Sequence, residues 1–401
     1  MTAVGQLPKR ESILRPRLAV TALFLANGTG IGLWAASIPP IKLMHDLSDG
    51  ELSIALLAFA VGAILTMTVT GHIQARFGSA RVALLSSLAV SIVLPLPALM
   101  PNLSTLALAV LVFGACNGAM DVAMNGHGVV VERRGGRPIM SSFHAAFSLG
   151  GMIGSAAGSA ILAAGLGPFA TMGAASLFSL LLVAGTSTSL AVPDAGPTDA
   201  ASGFAWPSRA VLLVGALAFL CMFGEGAVAD WSGVYLVTAA AASTAAAARG
   251  YSGFAFAMTV GRLIGDWVVH RLGAARVVAF GGILASLGLG LTLAFPQVDV
   301  AIVGYALAGI GIANIVPILF SAGGRAVKGH PGVGVAMAAT CGYAGFLLSP
   351  PLIGALSGFF GLRLALVSLA LALLTVGLAA PRILGRRGGP SLDRSSGGAV
   401  N

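Results

Sequence analysis

The chain has 401 residues, of which 57% are hydrophobic and only 9% are charged, and its mean hydropathy is +0.95. Because a water-soluble domain carries about 25% charged residues, this composition excludes an ordinary soluble protein. The net charge of +9 would suggest nucleic acid in a soluble chain, but membrane topology explains it better here. All three cysteines, Cys116, Cys221 and Cys341, lie in apolar segments, so the sequence shows no disulfide framework and no zinc-ligand spacing.

Apolar segments long enough to cross a bilayer core, which needs about 20 residues, follow one another along the chain. The first is preceded by a basic arm but is longer than the apolar region of a signal peptide, so we interpret it as a retained membrane helix. We predict twelve spans, near residues 18–43, 51–74, 81–100, 103–130, 139–165, 168–192, 209–238, 248–270, 276–295, 299–322, 333–357 and 362–383.

The Lys and Arg residues between these spans are distributed unevenly. Three of the 22 fall on one side, namely Lys42, Arg249 and Arg363, and Arg262 falls within a span, while all the others share the side of the N-terminus. Because cytoplasmic loops carry the excess of positive charge, both termini are predicted to be cytoplasmic.

The two halves of the chain repeat each other. Residues 76–82 (RFGSARV) recur as 271–277 (RLGAARV), and Gly28-Thr-Gly30 recurs as Gly224-Glu-Gly226. We therefore predict an all-α integral membrane fold of two pseudo-symmetric six-helix bundles, with a substrate site between them. The predicted parts are an N-terminal half (1–192), a cytoplasmic linker (193–208), a C-terminal half (209–384) and a disordered cytoplasmic tail (385–401).

The segment after the second span resembles a loop motif of the major facilitator superfamily (MFS), G-x-x-x-D-R-x-G-x-x-R. Here the motif comprises Gly71, Arg76, Gly78 and Arg81, with Arg271 as the repeat counterpart of Arg76. The resemblance implies gating by this loop, but Ala75 replaces the usual aspartate. Residues 117–125, 137–144 and 229–232 look like the MosC/YbjJ-like branch of this superfamily.

The resemblance implies an inner-membrane transporter, expected to be a monomer. Span 5 lacks the proline of the drug/proton antiporter motif, which weakens a multidrug-efflux interpretation. The sequence contains no phosphate loop, HExxH, CxxC or nucleophile elbow, so we predict neither an enzyme nor a bound cofactor or metal.

A polar stripe lies on the fourth span, where Asn117, Asp121 and Asn125 are spaced four residues apart and share one helix face. An ionisable residue inside a membrane is costly and usually faces a cavity or the bundle interior. The stripe is therefore predicted to bind substrate or protons, with hydrogen bonding between packed helices as the alternative.

The seventh span carries Glu225 between two glycines, near the predicted midplane. Its carboxylate is a candidate for binding and releasing a proton during transport, or for a buried structural hydrogen bond. Farther along the helix, Asp230 and Trp231 are candidates for contacting a polar substrate.

In the fifth span, His144 is a third proton-coupling candidate, or a neutral histidine satisfied by a neighbouring serine. His127, nearer a span end, is expected to be interfacial. On span 8, Arg262 and Asp266 have the spacing of an i, i+4 ion pair, predicted to be structural or part of the gate.

Two further spans offer candidates for the substrate cavity. Asn27 and Trp34 share one face of the first span, and Asn314 lies near Pro317 in the tenth. Asparagines in membrane helices also serve as packing contacts, so both roles stay open.

The sequence thus predicts secondary transport of a small polar or amphipathic solute by alternating access, coupled to protons. Its partners would be that solute, protons and the lipid bilayer, without nucleic acid. A metabolite or drug exporter of the same fold, or a non-transporting membrane receptor or scaffold, is the alternative.

Overall fold

The computed structural model describes residues 13–135, 139–190, 208–327 and 331–385, except for side chains at positions 68, 72, 75, 133, 141, 266, 331–333, 335 and 336. This part of the chain is built from α-helices, short 3-10 turns and connecting loops, without a strand. The first half contains α1 (Leu14–Met44), α2 (Asp49–Phe77), α3 (Ser79–Val93), α4 (Leu103–Gly135), α5 (Met140–Ala163) and α6 (Pro168–Thr186).

The second half repeats this order with one additional break. It contains α7 (Arg209–Ala239), α8 (Thr244–Leu272), α9 (Ala274–Ala294), α10 (Val298–Ile312), α11 (Ile315–Ala326), α12 (Pro331–Phe360) and α13 (Leu362–Leu384). Helices α10 and α11 together form one membrane span, Val298–Ala326, interrupted by a turn at residues 313–314.

Eleven segments of the described chain are long and apolar enough to cross a membrane. The predicted span that is not among these eleven is the eighth, which corresponds to α8; this helix has 29 residues but is less apolar because it contains Arg249, Arg262 and Asp266. A 29-residue helix is about 43 Å long, enough to cross a hydrocarbon core of about 30 Å. The predicted all-α fold of two six-span bundles is confirmed.

Successive spans run in opposite directions, so α1 begins and α13 ends on the same side of the bundle. We call this the terminal side and the opposite one the distal side. The predicted linker (193–208) lies outside the described residues except for Ser208, which caps α7. The predicted tail (385–401) lies outside them except for Gly385.

Helices pack in the same pairs within each half. In the first half α1 packs on α5 and α2 on α4, and in the second α7 packs on α12 and α8 on α10. A Cβ atom at Gly114 of α4 would overlap the carbonyl oxygen of Phe59, and one at Gly309 of α10 would overlap that of Phe254. Gly309 follows Gly114 by 195 residues, and Phe254 follows Phe59 by the same number. The sequence repeat therefore corresponds to a repeated close contact between helix backbones.

The loops that join α2 to α3 and α8 to α9 also repeat. Gly78 and Gly273 connect these helices with φ of 87° and 81°. An L-amino acid with a Cβ rarely adopts this backbone conformation, so glycine is required at both turns. The positive φ at these turns thus explains the glycine of the loop motif independently of any gating role.

The halves meet mainly along two helix pairs, α5 with α8 and α2 with α12, and α1 also contacts α7 and α8. On the α5–α8 interface, Ser155 Oγ donates to the Ala248 carbonyl at 2.7 Å, and Ser159 Oγ donates to the Ala245 carbonyl at 2.6 Å. These residues lie near the end of α5 and the beginning of α8. The hydrogen bonds therefore join the halves on the distal side.

The α2–α12 interface is joined on the same side. Ser357 Oγ of α12 donates to the carboxylate of Asp49, at the beginning of α2. Lys42 at the end of α1 forms an ion pair with the same carboxylate, with Nζ 3.2 Å from Oδ1. Both inter-half interfaces are thus bonded at their distal ends.

Candidate functional site

A cavity of about 240 Å³ lies between the two halves, near the middle of the spans. Its walls come from α1, α2, α4 and α5 of the first half and α7, α8, α11 and α12 of the second. The predicted location between the bundles is therefore where the structure has a cavity. Five ionisable residues are part of its lining: Asp121, His144, Glu225, Asp230 and Arg262.

Arg262 is the polar centre of this cavity. Its guanidinium NH2 lies 3.6 Å from Glu225 Oε1, and its NH1 donates to Ser148 Oγ at 2.6 Å. Arg262 and Glu225 belong to the second half, whereas Ser148 lies on α5 of the first. One side chain thus compensates a membrane carboxylate and joins the halves.

Arg262 makes a third contact at the break between α10 and α11. Pro317 has no backbone N–H, so it cannot donate to the carbonyl of Ala313 four residues earlier. Arg262 Nε donates to that carbonyl at 3.5 Å. The helix break thus supplies an acceptor that orients the arginine.

On the opposite wall, Asp121 lies on the predicted polar stripe. The side-chain amide of Asn125 donates to the Asp121 carbonyl at 2.9 Å and to its Oδ1 at 3.3 Å. Asp121 and Asn117 line the cavity, but Asn125 does not. Asn125 therefore contacts Asp121 but is not part of the cavity lining, where it was predicted to be.

His144 and Asp230 both line the cavity. The ring of His144 packs edge-on against Phe24, with the ring centroids 5.3 Å apart. The backbone carbonyl of His144 accepts a hydrogen bond from Ser148 Oγ at 3.2 Å. Asp230 forms no hydrogen bond or ion pair within the described part of the chain, so its carboxylate faces the cavity uncompensated.

The candidates on α1 also line the cavity. Asn27 is 3% exposed, and its Oδ1 has no hydrogen-bond partner among the described residues. Trp34 is largely buried and packs edge-on against Phe113, at 5.7 Å between ring centroids. The predicted face of α1 is thus the face that borders the cavity.

Two other predicted cavity residues lie elsewhere. Trp231 is completely buried in α7 and is not part of the cavity lining. Asn314 lies in the turn between α10 and α11 and donates to the Gly261 carbonyl of α8 at 2.8 Å. It joins the helix break to α8 and is not part of the cavity lining.

Several residues bordering the cavity were not predicted. They include the aromatic side chains of α2, α5, α11 and α12 and the hydroxyl of Tyr343. His127, which is predicted to be interfacial, is completely buried within the protein, and its Nδ1 lies 2.8 Å from Oγ of Ser79, the first residue of α3. Glu132 accepts from the first backbone amides of α5, at 2.6 Å from Ile139 N, and thereby caps this helix.

No protein-family model matches the chain as a whole or in part. The chain is 38% identical over 359 residues to an uncharacterized MFS-type transporter of Yersinia pestis, covering 90% of this chain and 93% of that protein. It is 35% identical over 356 residues to the membrane protein MosC of Rhizobium meliloti, covering 88% and 86%. The chain belongs to the major facilitator superfamily.

Within the MFS, these relatives place the chain in the MosC-like branch. A bacterial homologue of the lysosomal transporter Spinster, solved in an inward-facing unoccupied conformation, superposes with a TM-score of 0.76 at 15% identity, over 96% of this chain and all of that one. A mutant of the nucleoside transporter NupG gives 0.74 at 12% identity, over 92% and 99%. These similarities show the MFS fold, and the protein is a multi-pass membrane transporter of a small-molecule solute.

The MFS loop motif lies on the terminal side. Arg76 stacks over the ring of Phe77, and its counterpart Arg271 stacks over Trp267, with 5.4 and 5.6 Å from the guanidinium carbon to the ring centroid. Arg81 is exposed on α3, and a Cβ at Gly71 would meet open space. The predicted partner of Arg262, Asp266, has its side chain outside the described residues, and Arg262 itself contacts Glu225 and Ser148.

Proposed function

We propose that this protein is a secondary active transporter that moves a small polar or amphipathic solute by alternating access and couples the movement to protons. The cavity between the halves carries the proposal, because a site that both halves enclose can be exposed to either side as they rock. On this proposal the terminal side faces the cytoplasm across a bacterial inner membrane, as the Lys and Arg distribution favours.

The distal hydrogen bonds suggest which state of the cycle the structure represents. With α5–α8 and α2–α12 bonded at their distal ends, a solute would reach the cavity from the terminal side. The alternate state requires the bonds of Ser155, Ser159 and Ser357 to open. We therefore assign the structure to an inward-facing state.

Proton coupling is supported by the contacts of Arg262. A proton on Glu225 would remove the charge that Arg262 compensates, while the bond from Arg262 to Ser148 of the other half would remain. Protonation of Glu225 would thus weaken the contact of Arg262 within the second half relative to its contact with Ser148 of the first half. Such a differential interaction is what coupling to a conformational change requires.

The test uses purified protein in proteoliposomes. A thermal-shift screen of metabolites first identifies ligands, because a compound that binds the native state raises the apparent Tm. For each ligand, counterflow and accumulation driven by an imposed pH gradient are then measured. We expect both activities in the unmodified protein.

The matched variants are Glu225→Gln and, as a control, Asp299→Asn, which removes an exposed carboxylate at the beginning of α10. Glu225→Gln should keep counterflow and lose accumulation by the pH gradient, whereas Asp299→Asn should keep both. Accumulation that survives collapse of the pH gradient would refute proton coupling. Ligand binding without any counterflow would favour the receptor or scaffold alternative. The direction of solute movement under the imposed pH gradient distinguishes an importer from an exporter.

A further inference from the structure

The charges on the cavity wall do not balance. Glu225 is compensated by Arg262, and the guanidinium also donates to Ser148 and to the Ala313 carbonyl. The cavity carboxylates of Asp121 and Asp230 therefore remain without a cationic partner within the described residues. They lie on opposite walls, one on α4 of the first half and the other on α7 of the second.

Two asparagines that border the same cavity have unused hydrogen-bond acceptors. Asn27 and Asn117 each have a buried Oδ1 without a partner among the described residues, and Asn27 is only 3% exposed. A buried acceptor that stays unpaired costs about 1–3 kcal/mol, so these two oxygens favour a ligand that carries N–H or O–H donors. This observation is independent of the excess negative charge, and a protonated amine satisfies both because it is a cation that donates hydrogen bonds.

The remaining wall is apolar and combines aliphatic side chains with several aromatic ones. Rings from both halves border the cavity: Trp34, Phe59, Phe147, Phe320, Tyr343 and Phe346. Aromatic faces carry negative electrostatic potential and attract cations, most strongly when the site is desolvated. The volume of about 240 Å³ accommodates a ligand of metabolite size.

We propose that the solute is a small organic cation, an amine with an apolar or aromatic body, whose ammonium group binds between Asp121 and Asp230. This inference rests on the proposed transport function and specifies its substrate class. The ammonium would donate to one or both carboxylates, and rotation of the Asn27 or Asn117 side chain would let its amide oxygen accept as well. The body of the ligand would pack against the aromatic side chains that border the cavity.

The experiment compares amines with neutral and anionic molecules of the same skeleton. The probes are phenethylamine, its N-trimethylated quaternary analogue, phenethyl alcohol and phenylacetate, followed by aliphatic monoamines and diamines with their matched alcohols and acids. Binding is measured by thermal shift and calorimetry on detergent-purified protein. We expect at least one amine to bind at least tenfold more tightly than its matched alcohol, and no acid to bind.

Variants then test the proposed ammonium site. Asp230→Asn should weaken binding of that amine at least tenfold, Asp121→Asn should also weaken it, and the control Asp299→Asn should leave it unchanged. Each variant is first checked for a monodisperse elution profile, and if Asp230→Asn does not fold, Asp121→Asn alone decides. Preferred binding of alcohols or acids, no binding by any amine, or unchanged amine affinity in the decisive variants would overturn the proposal.

Transport distinguishes this inference from the function on which it rests. Counterflow of a neutral or anionic solute would leave the proposed transport intact and refute the cationic substrate class. Amine binding that depends on Asp230, without counterflow, would leave the binding site intact and refute transport.

Discussion

At the scale of single residues, Arg262 links more of the site than any other described side chain. It contacts Glu225 on the neighbouring helix, Ser148 across the interface between the halves and the carbonyl that Pro317 leaves free. Because Glu225 and Arg262 are each half-buried in an apolar surrounding, each residue compensates the other. Removing one should therefore cost more than removing both.

We predict that Arg262→Met lowers the apparent Tm of the purified protein more than the double variant Arg262→Met/Glu225→Gln does. In a double-mutant cycle the coupling between the two residues should be about 0.5–3 kcal/mol. Stability is measured by thermal and detergent unfolding of the four proteins. If the two single effects simply add, the ion pair has no energetic role.

A second residue-scale prediction concerns Asn125, which holds Asp121 from behind with bonds of 2.9 and 3.3 Å. Asn125→Ala should weaken solute affinity several-fold without removing any cavity surface, because the carboxylate loses its orienting donor. Asn125→Gln, which keeps an amide, should recover part of the affinity. Calorimetry with a confirmed ligand checks this, and equal affinity in both variants would contradict a positioning role.

The sequence indicated the cavity charges but not their partners. Asp121, Glu225 and Asp230 were found because a carboxylate in an apolar span is rare. Helix spacing predicts Asp266 as the partner of Arg262, because it identifies neighbours within one helix only, whereas Ser148 is 114 residues away in sequence. The sequence also could not exclude Trp231 and Asn314 from the cavity. A span without a polar face does not reveal which of its side chains border a cavity and which contact a neighbouring helix.

At the scale of helices, small residues determine how closely the spans approach. The carbonyl of Phe254 occupies the place of a Cβ at Gly309, where α8 crosses α10, whereas a Cβ at Gly290 on α9 would meet nothing within 4 Å. A methyl group is thus excluded at one glycine and accommodated at the other.

We predict that Gly309→Ala destabilises the protein by about 1–3 kcal/mol, because the helices must separate. The matched control Gly290→Ala should leave the apparent Tm unchanged or slightly raised, since alanine favours the helix. Thermal unfolding of both variants measures the difference. Equal Tm values would show that the contact between α8 and α10 yields to a methyl group at little cost.

The order and type of the helices could be predicted from apolar length alone, and the repeat correctly paired the two halves. The break between α10 and α11 could not, because Pro317 within a span is compatible with either a kink or a new helix. In this structure the span breaks into two helices, and Asn314 of the turn donates to the Gly261 carbonyl of α8. This contact joins residues that are distant in sequence, so the sequence does not reveal it.

At the scale of the whole molecule, the distal contacts between the halves are proposed to open during each cycle. Ser155 and Ala248 are joined by a hydrogen bond of 2.7 Å, so their backbones are close enough for a short cross-linker. The native thiols of Cys116, Cys221 and Cys341 must first be replaced, because Cys116 and Cys341 are partly accessible.

In that background, we predict that cross-linking Ser155→Cys to Ala248→Cys with a short thiol-cleavable reagent abolishes solute counterflow, and that reduction restores it. Ligand binding from the terminal side should persist, because the reagent holds the halves together only where they already touch and leaves the cavity unchanged. The same reagent on Ser155→Cys alone is the control and should have no effect on either activity. Counterflow that continues in the fully cross-linked protein would mean that solute passes without separation of α5 from α8, and the rocking of one half against the other would have to be abandoned as the transport step.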